Sequence, residues 1–166
     1  MLTILVKLLK ALNSEQSPSQ LAIAVSLAVV LGFTPILSLH NLLIIFFALW
    51  FRVNLSLLLV SYPLFVFIGF LLSSIFDSIG LQILQMPALQ SVWESFFNTL
   101  FGRWSNFYYA GVIGSFTIGV IVAIILFPLV RFSVLAYREK WLQRFNQLKV
   151  MRMLKASKFW QLYAES

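Results

Sequence analysis

Residues Leu21 to Leu59 are nearly all apolar, but Gly32-Phe33-Thr34-Pro35 and Arg52-Val53-Asn54 interrupt them. A run of this length with two internal turn signals predicts apolar helices folded back on one another. Ser17-Pro18-Ser19-Gln20 is a strong start: Ser17 caps, Pro18 suits the first helical position, and Gln20 completes a capping box. The first helix is expected over 18–33 and a second, restarted by Thr34-Pro35, to about Phe51. Each arm of about 16 residues is roughly 24 Å long, short of the roughly 30 Å hydrocarbon core of a bilayer.

Asn54 caps the next predicted helix, Leu55–Phe76, which is long enough to span; Pro63 should kink it and free a carbonyl near Leu59. Asp77-Ser78-Ile79-Gly80 is expected to end it. The outer connection, 77–106, then carries the best amphipathic pattern in the chain. Leu89, Val92, Trp93, Phe96, Phe97, Leu100 and Phe101 share one face, opposite Gln90, Ser91, Glu94, Ser95, Asn98 and Thr99. That pattern predicts a helix lying flat at the interface beside a belt of Trp104, Tyr108 and Tyr109. A last span is expected over 107–130. Along it Gly111, Ser115, Gly119 and Ala123 recur every fourth position, a small-residue stripe open to close approach by a partner's helix or by the chain's own Leu55–Phe76 helix.

Both ends of the chain read as amphipathic. Met1, Leu2, Leu5, Leu8, Leu9 and Leu12 share one face of residues 1–16, with Lys7 and Lys10 off it, which predicts an interfacial helix rather than a cleavable signal. Residues 131–166 form a basic tail. Arg138, Lys140, Arg144, Lys149, Arg152, Lys155 and Lys158 alternate there with Trp141, Leu142, Phe145, Leu148 and Trp160, suiting an anionic leaflet.

Composition settles the class. Of 166 residues 61% are hydrophobic and only 10% charged, against about 25% charged in soluble domains. The net charge of +7 does not indicate nucleic acid, because eight of the twelve Lys and Arg lie from Arg131 to Lys158, directly after an apolar stretch. Positive-inside placement of that tail decides the topology. A single bent span over 18–51 would put the tail outside, whereas a re-entrant hairpin or a pair of thin spans returns Arg52 and both termini to the cytoplasm. The expectation is an all-α integral membrane protein: a hairpin around Pro35, two transmembrane helices and interfacial amphipathic helices, multi-pass in the bacterial inner membrane. No cysteine and one histidine leave no thiolate or multi-histidine metal site, and no cofactor is expected.

Candidate chemistry concentrates at the hairpin. Thr34, Ser38, His40 and Asn41 at the tip, with Arg52 and Asn54 at the base, are candidate contacts for an anionic lipid group facing the second helix's N-terminus. The plainer reading has these groups satisfying one another, His40 as a hydrogen-bonded core histidine, and Arg52 as an interfacial arginine at a helix end. Asp77 and Glu94 read as solvated loop charges, not an acid–base pair.

Ser17-Pro18, Gly32-Phe33-Thr34-Pro35, Arg52-Val53-Asn54 and Pro63, in this order and spacing, resemble the bacterial membrane family catalogued as domain of unknown function 2062. Two departures stand out. Ser38 and His40 occupy positions where the family often has Gly and Gln, and Tyr62 stands where Asn often precedes the later proline. The resemblance implies a membrane location, and some members of this broad group look like accessory proteins to large envelope proteins. The resulting expectation is a small non-enzymatic inner-membrane subunit, partnering a larger envelope protein in lipid handling or forming a homo-oligomer. The alternative is a self-contained transporter or flippase for an anionic lipid carrier.

Overall fold

The structure, a computed structural model, describes residues 17–51 and 53–138. The predicted N-terminal helix, Arg52, and Lys140, Arg144, Lys149, Arg152, Lys155 and Lys158 of the tail lie outside the described residues. Every regular element within them is helical: α1 Pro18–Phe33, α2 Leu39–Trp50, α3 Leu55–Leu71, α4 Ser73–Gln85, a 3₁₀ turn Pro87–Leu89, α5 Gln90–Phe97, α6 Leu100–Ser105 and α7 Ala110–Ala136.

Helix α1 is the centre. It is apolar on all sides, and Leu21, Ala22, Ala24, Ala28, Val29 and Leu31 are buried, as expected of a helix surrounded by others. The capping box at its start is formed: Ser17 Oγ accepts from Gln20 N at 3.2 Å, and Ser17 N donates to Gln20 Oε1 at 3.0 Å. α3 and α7 flank it. Gly32 abuts Phe65 and Gly69 abuts Phe33, so α3 runs parallel to α1; Gly119 of α7 lies against Val30. Val134, near the other end of α7, shares a core with Leu21, Ala24, Leu57 and Leu58, so α7 runs antiparallel to α1.

Five sequence expectations change. The second helix begins at Leu39 rather than at Pro35, because residues 34–38 form a turn closed by their own side chains. The helix from Leu55 does not run straight to Phe76: Pro63 is accommodated within α3, and the sharp break comes at Leu72, where α4 departs at 72°. Leu72 N there donates to both Ile68 O and Gly69 O, the tightened geometry of a closing turn. Helix α4 then carries Asp77–Gly80 onward to Gln85 instead of ending there, since it packs along α7. The amphipathic stripe from Leu89 to Phe101 is divided between α5 and α6, because Thr99 caps a new helix through Gly102 N. Finally, α7 starts at Ala110 and extends through Arg131 to Ala136, past the expected end at Val130.

Asn54 caps α3, its Oδ1 accepting from Leu57 N at 2.8 Å in a buried setting. Asn54→Ala should cost about 1 kcal/mol, read as a lowered thermal midpoint in detergent, with Asn54→Ser restoring most of it. An unchanged midpoint in the alanine variant would exclude the cap as a contributor.

Among the described residues one helix, α7, is long and apolar enough to cross a membrane by itself; α3 and α4 reach that length only as the bent pair.

Candidate functional site: the hairpin tip and the cavities beside it

Helices α1 and α2 meet at a turn in which nearly every polar group is used. Thr34 Oγ1 lies 2.7 Å from Val30 O and 2.9 Å from Asn41 Oδ1, so its one proton is shared between two acceptors. Asn41 is fully buried and donates from Nδ2 to Pro35 O at 2.9 Å. Ser38 Oγ donates to the same carbonyl at 2.8 Å. This pattern explains the turn: with no N–H at Pro35 to continue α1, side chains close the chain reversal.

Proton counting gives the direction of the Ser38–His40 contact. Ser38 has spent its only hydroxyl proton on Pro35 O, so the 2.9 Å contact between Ser38 Oγ and His40 Nε2 has His40 as donor. Nδ1, the other ring nitrogen, has no hydrogen-bond partner among the described residues. Phe107 stacks on the ring at 5.2 Å between centroids and Phe116 meets it at 5.0 Å.

The structure thus brings Thr34, Ser38, His40 and Asn41 together, but with their donors turned inward. Asn54 lies apart, at the α3 cap. The small-residue stripe faces this chain's own helices: Gly111 lies under Asp77 of α4, Gly119 against Val30 of α1, and Ser115 is buried with its hydroxyl donating to Val112 O. The expected neighbour of the stripe, the Leu55–Phe76 helix, contributes only through its bent-over part, because the break at Leu72 carries Phe76 and Asp77 onto α7. Arg138 follows the end of α7.

Two further residues escape the every-fourth-position rule and make the closest approach of all. A methyl group at Gly80 would overlap the Ala110 carbonyl, and one at Gly114 the Phe76 carbonyl. The available signal was the pairing of Gly111 with Gly114 three positions on, which widens the stripe toward a second neighbour.

Two cavities adjoin the tip. The larger, about 580 Å³, lies between α1, α2 and α7; Leu43, Ile44 and Phe47 face Phe116, Ala123 and Phe127 across it, with His40 in its wall. The smaller, about 310 Å³, lies where the 32–35 turn, the α3–α4 elbow and the start of α7 converge; Gly32, Thr34, Ser73, Asp77, Gly111 and Ser115 line it. Since Thr34 and Ser115 share this cavity, the turn lies about five residues, or roughly 8 Å, from the start of α7.

A model of the family described as "Uncharacterized protein conserved in bacteria (DUF2062)" matches residues 3–142. An "Uncharacterized protein" of Treponema pallidum (strain Nichols) is 31% identical over 138 residues, covering 83% of this chain and 85% of that protein. No solved structure matches the chain. With most of its length, from before the capping box at Ser17 to beyond the end of α7, matched by that model, this chain belongs to the family of domain of unknown function 2062.

Proposed function

We propose that the protein is a non-enzymatic, multi-pass subunit of the bacterial inner membrane that supports lipid handling in the envelope through a larger partner. Three features support the membrane placement: the apolar length of α7, the alternating directions of α1, α2, the α3–α4 pair and α7, and the basic segment that follows. Four alternating passes, joined by three reversals, would leave both termini on one side, and the positive-inside preference makes that side cytoplasmic.

The observation that carries the subunit reading is the cavity of about 580 Å³ beside α2. Its volume falls in the range of ligand pockets, and its walls are almost wholly apolar. Helix α2 contributes little else to the core: of its side chains only His40, Asn41 and Ala48 are buried. Exposed apolar side chains cost nothing in lipid, but a groove between helices forfeits packing unless something fills it. A partner's helix or a lipid chain fits that requirement.

The alternative, a carrier for an anionic lipid, draws less support from the tip. Thr34, Ser38 and Asn41 all direct donors at acceptors of the turn itself, so they form no anion cradle.

Native mass spectrometry of the tagged protein, gently extracted from its own membrane, tests the proposal. A larger envelope protein retained in fixed ratio is the expected result. A self-contained monomer, or a homo-oligomer carrying one anionic lipid species, would defeat it.

A further inference from the structure

We propose that the cavity of about 310 Å³ between the 32–35 turn, the α3–α4 elbow and α7 is a recognition site for a primary ammonium group, with Asp77 as its counter-charge. The inference goes beyond the subunit reading and stands independently of it.

The wall is mainly apolar, with Phe33, Val66, Phe70 and Phe76 in it, and the polar groups that interrupt it offer acceptors. Asp77 supplies the carboxylate; it forms no ion pair or side-chain hydrogen bond with another described residue, and it lines the cavity. Its seat is made by a missing side chain: a Cβ at Gly111 would come within 2.6 Å of Asp77 Oδ1, so the carboxylate rests over a bare Cα. Two hydroxyls in the same wall have their protons committed, Thr34 to Val30 O and Asn41 Oδ1, and Ser115 to Val112 O at 3.1 Å. What such oxygens still offer is a lone pair. Ser73 adds a hydroxyl free to orient either way.

The backbone points the same way. Gly32 and Phe33 belong to the last turn of α1, where carbonyls lack helical partners and carry the negative end of the dipole. Pro35 has no N–H to give to Leu31 O, and the turn that follows sends no backbone bond to Gly32 O or Phe33 O. A carboxylate, a helix C-terminus and proton-spent hydroxyls therefore converge on one small cavity. An anion would meet repulsion from each, and the single carboxylate balances only half the charge of a divalent cation. A primary ammonium matches: it carries one positive charge and three donors. A quaternary ammonium carries the charge without the donors. The group can be borne by an ethanolamine lipid headgroup or by a soluble amine.

The test uses the full-length chain in nanodiscs containing equal amounts of phosphatidylethanolamine and phosphatidylcholine, with retained lipids read by native mass spectrometry after release. The wild type should retain phosphatidylethanolamine over phosphatidylcholine by about tenfold, as expected when charge-assisted N–H bonds distinguish the two. Asp77→Asn, isosteric and exposed, should bring that ratio to the bulk value at an unchanged thermal midpoint. Gly111→Ala, which displaces the carboxylate while keeping its charge, should lower the ratio as well. Loss of the preference on adding soluble ethanolamine would assign recognition to the ammonium group alone; persistence would assign it to the lipid-borne headgroup. Equal retention of the two lipids by the wild type, or an undiminished preference in Asp77→Asn, overturns the proposal.

Discussion

Gly114→Leu and Gly80→Leu should leave little folded protein, and even the alanine substitutions should be costly. At this crossing the obstacle is backbone, not side chain: the Phe76 carbonyl faces Gly114 and the Ala110 carbonyl faces Gly80. A side chain can rotate away from an added methyl, but a helical carbonyl cannot move without moving its helix. Overpacking of this kind costs about 1–3 kcal/mol and sometimes more, and the value at Gly80 and Gly114 should lie at the upper end. Neighbouring glycines provide the contrast. At Gly119 the nearest atom to an added Cβ is Val30 Cα at 3.3 Å, which a shift of a few tenths of an ångström relieves, and at Gly111 only the Asp77 carboxylate is in the way. Thermal midpoints of the four alanine variants in one detergent should therefore fall into two groups, with Gly80 and Gly114 far below Gly111 and Gly119. If Gly114→Ala melts with Gly119→Ala, α4 does not lie on α7 at this distance.

That crossing also explains which parts of the fold are legible in the sequence. The start of α1 is readable because a capping box is local: Ser17, Pro18 and Gln20 act on their own backbone, whatever packs nearby. The break at Leu72 is not, because its cause lies elsewhere in the chain. Leu55–Phe76 has the composition of a straight span, and the feature that bends it is the opportunity for α4 to meet Gly114. Pro63 is a local signal that points to the wrong place, since a helix with an exposed proline can be accommodated when its neighbours hold it. The same competition divides the stripe from Leu89 to Phe101: the periodicity marks the faces correctly, but Thr99 takes the Gly102 amide and starts a separate helix.

The tip is half legible. Thr34, Ser38, His40 and Asn41 stand out as polar residues in an apolar run, and they do converge. Composition cannot show where their protons go, and that direction separates a donor cradle from an acceptor wall. Asp77 follows the same logic. In the sequence it belongs to an Asp-Ser-Ile-Gly segment that resembles a loop, but the continuation of α4 sets it on a helix above the turn.

Asn41→Asp should be the most damaging single-atom-scale change at the tip, and its effect should depend on pH. Asn41 is fully buried, accepts from Thr34 and donates to Pro35 O. A carboxylate in its place retains the acceptor but turns an oxygen on the Pro35 carbonyl, uniting a lost bond, a repulsion and an uncompensated buried charge. The cost of such a charge is on the order of 3–5 kcal/mol. Protonation repairs much of it, because the neutral acid again has an O–H to give to Pro35 O. The folded-state pKa of the introduced group is therefore raised above its unfolded value of about 4. Between those two values the unfolded chain has lost the proton that the folded chain still holds, so stability falls by about 1.4 kcal/mol per pH unit as pH rises. Asn41→Leu separates this from simple loss of hydrogen bonds. Thr34 keeps Val30 O as acceptor and Pro35 O keeps Ser38 as donor, so the leucine variant strands no group, loses about 1–2 kcal/mol and acquires no titration of its own. Thermal midpoints at pH 5 and pH 8, each relative to wild type at the same pH, should diverge for Asn41→Asp and stay parallel for Asn41→Leu. A pH-independent penalty in Asn41→Asp would mean that water reaches this turn and solvates the charge, and the dry, self-satisfied tip would have to be abandoned.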